Sequence, residues 1–271
     1  MIALDMDGTL LDSNKQCSER TIKALNDAKK QGVIILPATG RAINGLPQPV
    51  KELGVRYGIF CNGATNYDFQ EKKAFVTNHL TAEQVIRIFE ICEKYDASHD
   101  IYAGGQGYCE AKYLDVFETY TPDVAIQNLI RQTRQRLDGD LVEFILENQL
   151  TIEKVNMFFR DLEEREQAKK ELAATGMVDC VSSLYNNLEI NKKGCNKGRA
   201  LMQIAEYFGF AREEVMACGD ADNDLQMIEA AGIGVAMANA MDSVKEIADY
   251  ITDTNDNDGV AKAIEKFVLK K

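Results

Sequence analysis

The chain has 271 residues, 45% of them hydrophobic and 27% charged, with a net charge of -12, which is the composition of one large or two ordinary globular domains with real cores. The negative balance disfavours nucleic acid as a partner, since a polyanion calls for a basic surface, but it leaves room for an anionic small molecule where cations gather locally. No apolar run approaches the ~20 residues of a membrane helix, the N-terminus reads directly as a strand rather than a leader, and seven scattered cysteines argue against a disulfide framework; the expectation is a cytoplasmic protein without a membrane partner.

Met1 to Leu4 form a short apolar run suited to a parallel strand buried on both faces. Asp5-Met6-Asp7-Gly8-Thr9-Leu10-Leu11 follows. Asp5 and Asp7 project to the same side of an extended segment before Gly8 lets the backbone turn. Such a pair can hold a hard cation such as Mg2+, and one carboxylate can attack phosphorus while the other moves the proton. Alone, this pattern is more often a plain strand-to-turn junction.

Ser18 can cap a helix bearing Ile22, Leu25 and Ala28 on one face, closed by Gly32. Val33 to Leu36 is the next buried strand, and the strand, helix, strand order makes a right-handed parallel unit. It ends in Thr39-Gly40-Arg41, where a hydroxyl and backbone amides can hold phosphate oxygens at the carboxyl edge of a sheet. An ordinary strand-end turn is the plain alternative. Pro47 and Pro49 predict an interrupted helix over 42–54, and Gly58 to Cys61 reads as a third strand running into Asn62-Gly63-Ala64.

The pattern changes near residue 80, where Thr81 and Gln84 form a capping box before a helix with Val85, Ile88, Phe89 and Cys92 on one face. Val155, Met157 and Phe159 then alternate as one face of an antiparallel strand, and Asp161 with Glu164 starts another helix.

The parallel style returns with a helix from Gly198 to Phe208 that buries Leu201, Ile204, Ala205 and Phe208 and ends at Gly209. Lys197 stands at its start, where the dipole repels a lysine and a bound anion better explains it; Lys192 and Lys193 read as exposed. Strands follow at Val215–Cys218 and Ile233–Met237. Between them, Gly219-Asp220-Ala221-Asp222-Asn223-Asp224 opens a helix bearing Leu225 and Ile228. Asp222 reads as a plain cap, but crowded Asp220 and Asp224 call for a cation shared with Asp5 and Asp7. A final helix, capped by Asp258, turns Val260, Ile264 and Phe267 inward. The fold class is α/β: a Rossmann-like parallel-sheet core of residues 1–81 and 188–271, interrupted by an inserted α+β domain of residues 82–187.

The four stretches DMDGTLL, TGR, NKG and GDADND, in this order, resemble the haloacid dehalogenase (HAD) superfamily of phosphohydrolases. The insert, with Asn62-Gly63-Ala64 and Glu189-Ile190-Asn191-Lys192-Lys193-Gly194, is similar to the Cof-type group with a class IIB cap. The resemblance implies Mg2+-dependent hydrolysis of phosphomonoesters through an aspartyl-phosphate, with Asp5 as nucleophile and Asp7 as acid and base. It implies Mg2+ ligands from Asp5, the Asp7 backbone carbonyl and Asp220, with Asp224 orienting the metal's waters. Phosphate contacts fall to the Met6 backbone, Thr39, Gly40, Lys197 and Asn223, with Arg41 beside them. The prolines after Arg41 depart from the smoother helix expected of the group. The expected partner is a small phosphorylated metabolite, with sugar phosphates preferred and the insert folding as a lid. Tyr102, Tyr108, Glu110, Tyr113, Asn156 and Tyr185 are the lid side chains able to hydrogen-bond a polyol. A phosphomutase and a non-catalytic sugar-phosphate sensor are the alternatives, and a monomer or weak homodimer is expected.

Overall fold

The computed structural model describes residues 1–270, and its chain divides into two units. The first comprises Met1–Thr39, Leu46–Thr77 and the chain from Asn196 onward. Its main sheet has five parallel strands, in the order Tyr250–Ile251, Ile233–Ala236, Met216–Gly219, Ile2–Leu4 and Ile35–Pro37. Ile2 lies opposite Met216 on one side and Ile35 on the other. The first strand in sequence is thus flanked by the next strand on one side and by a late one on the other, so the direction of winding reverses at its carboxyl end. In open parallel sheets that reversal opens the crevice where ligands bind, and Asp5 is the residue that follows.

Local signals account for most of the elements around this sheet. Ser18 accepts from the Thr21 amide and caps the helix Glu19–Lys30. That helix buries Thr21, Ala24, Leu25 and Ala28, while Ile22 lies at the margin of the face and is 37% exposed. Gly209 closes the helix Lys197–Phe208 in the left-handed conformation; Phe208 is only half-buried. The prolines do interrupt the stretch after Arg41, leaving a short turn at Ile43–Gly45 and a helix Gln48–Glu52 with Pro47 as its cap.

The third strand, expected over Gly58 to Cys61, spans Tyr57–Phe60 and pairs antiparallel with Thr65–Asp68, which pairs with Lys73–Thr77. A single parallel bridge, Ala38 to Ile59, ties it to the end of the second strand. Asp258 does not cap the last helix, Gly259–Phe267, with its side chain. Its carboxylate instead accepts from Ser18 Oγ at 2.5 Å, drawn to the start of another helix.

The second unit comprises Gly40–Gly45 and Asn78–Cys195. Its six-stranded sheet runs Val178–Val181, Asn187–Lys192, Lys154–Phe159, Ala97–Ala103, Gln106–Glu110 and Arg134–Leu137, antiparallel except for the last pair. The expected boundaries at 81/82 and 187/188 therefore move outward. Leu80 already bridges to Ile152, and the strand Asn187–Lys192 pairs on both sides within this sheet.

Alternation decides the faces of the sheet. Ile101, Val155, Met157, Phe159, Leu188 and Ile190 form one apolar core with Val85, Ile88 and Leu172 from the helices Ala82–Cys92 and Leu162–Ala174. The capping box of Thr81 and Gln84 is present, whereas Glu164 accepts from the Asp96 amide instead of closing a second box. The positions between carry Asp100, Tyr102, Lys154, Asn156, Asn187 and Glu189, all buried. No helix among the described residues is long and apolar enough to cross a membrane.

Candidate active site

The amide of Asp5 extends the ladder by donating to Cys218 O at 3.0 Å, so its carboxylate is carried by the strand beside the central one, at the point where the winding reverses. The chain then coils back, with the amides of Leu10 and Leu11 donating to Asp5 O and Met6 O at 3.1 and 2.9 Å. Gly8 makes this turn at φ +88, where a Cβ would stand 2.4 Å from Asp220 Oδ2. A side chain there would be strained and would collide with the acidic loop. Thr9 Oγ1 donates to Asp220 Oδ1 at 2.7 Å and locks the two loops together.

Lys197 is the first residue of its helix, behind the Asn196 cap. Its side chain is 0% exposed, and its Nζ lies 2.6 Å from Asp5 Oδ1 and 2.7 Å from Asp224 Oδ1. The other oxygen of Asp224 accepts from the amides of Asp220 and Ala221 at 2.9 and 3.1 Å, so this residue closes the loop on itself. Carboxylate oxygens from Asp5, Asp220 and Asp224 lie within 4.8 Å of one another.

Three carboxylates around one ammonium leave excess negative charge in a buried place. Burial pushes the Asp5 carboxyl well above its ordinary range, although Lys197 opposes the shift. Burial, with Asp224 adding its charge, pushes Asp220 up to about 6. Burial alone would lower Lys197, but Asp224 and Asp5 outweigh it and raise the group, so the ammonium is retained. The oxygen-only donor set and the uncompensated charge fit a hard divalent cation, which Asp5 and Asp220 would hold while Asp224 stays engaged by Lys197 and two amides.

The remaining expected residues divide. Thr39 is buried, and its amide and carbonyl bond to Ile59 O at 2.9 Å and the Asn62 amide at 3.0 Å. Asn223 is buried, and its Nδ2 donates to Asn62 Oδ1 at 3.1 Å. Met6 lies behind the turn with a fully buried side chain. The Asp7 carboxylate is not part of the acidic cluster; it is half-exposed and pairs with Lys15 Nζ at 2.9 Å. Of Asp7, only the backbone carbonyl remains as an expected metal ligand.

Gly40 and Arg41 fall in the second unit. Gly40 O accepts from the buried Lys154 Nζ at 2.5 Å, and Arg41 Nη1 donates to Gly45 O at 3.2 Å. Of the six lid candidates, Tyr102 and Asn156 share the polar sheet face. Tyr108 packs on Phe144, Tyr113 on His99, Glu110 accepts from the Leu141 amide, and Tyr185 is exposed. Sequence reasoning missed Thr9, Asn62 and Lys154. Lys154 had a signal in its strand, where Lys154 and Asn156 alternate with Val155 and Met157 as polar positions on an otherwise buried element.

Comparison with known proteins adds to this geometry. A family model described as haloacid dehalogenase-like hydrolase matches residues 2–264. The chain is 32% identical over 275 residues to the 5-amino-6-(5-phospho-D-ribitylamino)uracil phosphatase YcsE of Bacillus subtilis (strain 168), covering 99% of this chain and 96% of that protein. Among solved structures it is similar to a haloacid dehalogenase-like hydrolase from Bacteroides thetaiotaomicron, with 32% identity, a TM-score of 0.81 and 98% of each chain covered. A sugar phosphatase of HAD subclass IIB shares 25% identity at a TM-score of 0.81, again over 98% of each chain.

Proposed function

Given that the chain belongs to the haloacid dehalogenase-like hydrolases, we propose that it is a Mg2+-dependent phosphatase of small phosphorylated metabolites, with sugar and polyol phosphates as its substrates. The observation that carries this reading is the cluster of buried Asp5, Lys197 and Asp224 with half-buried Asp220 at the point where the parallel sheet reverses its winding. The substrate class is supported by the relatives: one acts on a phosphorylated ribityl compound and another is a sugar phosphatase.

Mg2+ supplies positive charge that keeps Asp5 ionised and offsets the charge of the transferring phosphoryl group. The residues do the rest. The Asp5 carboxylate forms a bond to phosphorus in line with the leaving oxygen, whose bond breaks and which takes the proton held by Asp7. Asp7, now ionised, takes a proton from water as that water attacks the phosphorus; the Asp5 ester breaks, inorganic phosphate leaves and both groups are restored. Lys197 holds Asp5 in place and meets the anionic phosphoryl oxygens with its ammonium.

The test is phosphate release by the purified protein from a panel of sugar and polyol phosphates, with and without excess EDTA. The reading expects release that depends on Mg2+ and vanishes in Asp5→Asn. Turnover that survives EDTA or the Asp5→Asn change would overturn it, as would release confined to phosphorylated compounds lacking a sugar or polyol.

A further inference from the structure

The turn Cys61-Asn62-Gly63, which none of this chemistry uses, carries unusual strain. All three residues are buried and left-handed, with φ of 51, 58 and 99. A run of this kind that includes two residues bearing side chains is unfavourable and persists only where its surroundings over-determine it. Those surroundings are parts of the candidate site in the same unit. The Asn62 amide donates to Thr39 O at 3.0 Å, and Asn62 Oδ1 accepts from Asn223 Nδ2 at 3.1 Å. Gly63 lies against the helix that begins with Lys197, where a Cβ would stand 2.5 Å from Asn196 O and 2.9 Å from Ala200 Cβ. One strained turn therefore touches the Thr39 turn, the lysine helix and the Asn223 turn, which are far apart in sequence.

The geometry points to Asn62 as a positioning residue for phosphate binding, acting through Asn223; this rests on the phosphatase reading above. A carboxamide has a donor end and an acceptor end of nearly equal shape, so packing alone does not choose which end of Asn223 faces which way. The oxygen of Asn62 chooses. It draws one N–H of Asn223 to itself, which fixes the plane of the amide and keeps its second N–H, and not its oxygen, for a phosphoryl oxygen. Without that acceptor the amide can turn over and present a lone pair to an anion. Asparagine suits the position on both counts, since it tolerates positive φ and carries the acceptor.

The test uses the Mg2+-loaded protein, p-nitrophenyl phosphate as substrate and inorganic phosphate as competitive inhibitor. Asn62→Gly keeps the left-handed backbone and removes the acceptor. It is expected to raise the inhibition constant of phosphate about tenfold, the effect of losing one hydrogen bond to a charged group. Asn223→Ala should do the same, and the double variant should bind phosphate no more weakly than Asn223→Ala alone, because coupled residues do not add. Asn62→Ala, which lacks the acceptor but strains the backbone, should match Asn62→Gly in phosphate inhibition even where its melting temperature is lower. A silent Asn62→Gly beside a weakened Asn223→Ala would overturn the role of Asn62 and leave the phosphate reading standing. Losses that multiply in the double variant, or that follow melting temperature, would also overturn it. A silent Asn223→Ala would remove the phosphate contact itself and the proposal with it.

Discussion

Two buried lysines, one in each unit, show how similar burial can serve different ends. Lys197 sits between two carboxylates, with a third, Asp220, within the same cluster. Lys154 is 2.5 Å from Gly40 O, 3.3 Å from Glu189 and 4.6 Å from the Tyr102 ring, which it shares with Arg134; Arg134 in turn faces Asp100 at 3.2 Å. On the sheet face around Lys154, cations and anions match one for one, as a buried network must if it is to hold structure without a ligand. Around Lys197 the anions outnumber the cation, which makes the place receptive to further positive charge. The sign and balance of buried charge, more than burial itself, separate a candidate site from a scaffold.

The largest effect that would sharpen this contrast is in Asp5→Asn, which is expected to lower p-nitrophenyl phosphate turnover by roughly 10⁴-fold or more while the protein still unfolds cooperatively. Next comes the pair of lysine variants. Lys197→Met should lower kcat by about 10²- to 10³-fold. Lys154→Met should cost about 3–5 kcal/mol of stability, by leaving Glu189 without that partner, yet change kcat of the folded fraction less than tenfold. Equal losses of turnover in the two would break the comparison.

Metal should divide the clusters too. Mg2+ at a hundredfold excess over its dissociation constant is expected to raise the melting temperature by roughly 5–10 °C. Lys154→Met should keep that rise and Asp220→Asn should lose it; a rise untouched by Asp220→Asn would place the ion elsewhere.

The smallest expected effect is a pH dependence in the second unit. Burial between Phe89 and Tyr113 lowers His99 to about 4, with Lys112 adding to the shift and Asp140 opposing it. The unfolded chain binds this proton more readily than the folded one, so stability rises with pH between about 4 and 6.5 and is lost as pH falls through that window. The contribution is about 3 kcal/mol at most, and His99→Phe should flatten the slope in urea titrations across the window. An unchanged slope would mean that His99 is not held neutral by its surroundings.

Much of the site was legible because its groups lie at strand and helix ends, where short sequence patterns act alone. The Asp5 turn needs Gly8, the Ser18 and Thr81 caps bond within three residues, and Lys197 at a helix start contradicts the dipole unless an anion or carboxylate is near. The misreadings came from the same locality. Apolar strands read alike whether they pair in parallel or antiparallel, so the antiparallel pairing of Tyr57–Phe60 with Thr65–Asp68 was not legible. Asp258 reads as a cap, but its partner is Ser18, 240 residues away.

From the sequence by itself follow the alternation of strands and helices, the acidic turns, the placement of an inserted α+β unit and the family resemblance, since each rests on periodicity or on contacts within a turn. Only the tertiary structure decided that Asp5 and Asp224 share one ammonium, that the Asp7 carboxylate stands apart on Lys15, that Lys154 holds Gly40, and that Asn62 reaches Asn223 across 161 positions. These are pairings between groups whose separation along the chain carries no period. They exist because the sheet order brings distant strand ends together, and the balance of charge at each place is set only once that order is formed.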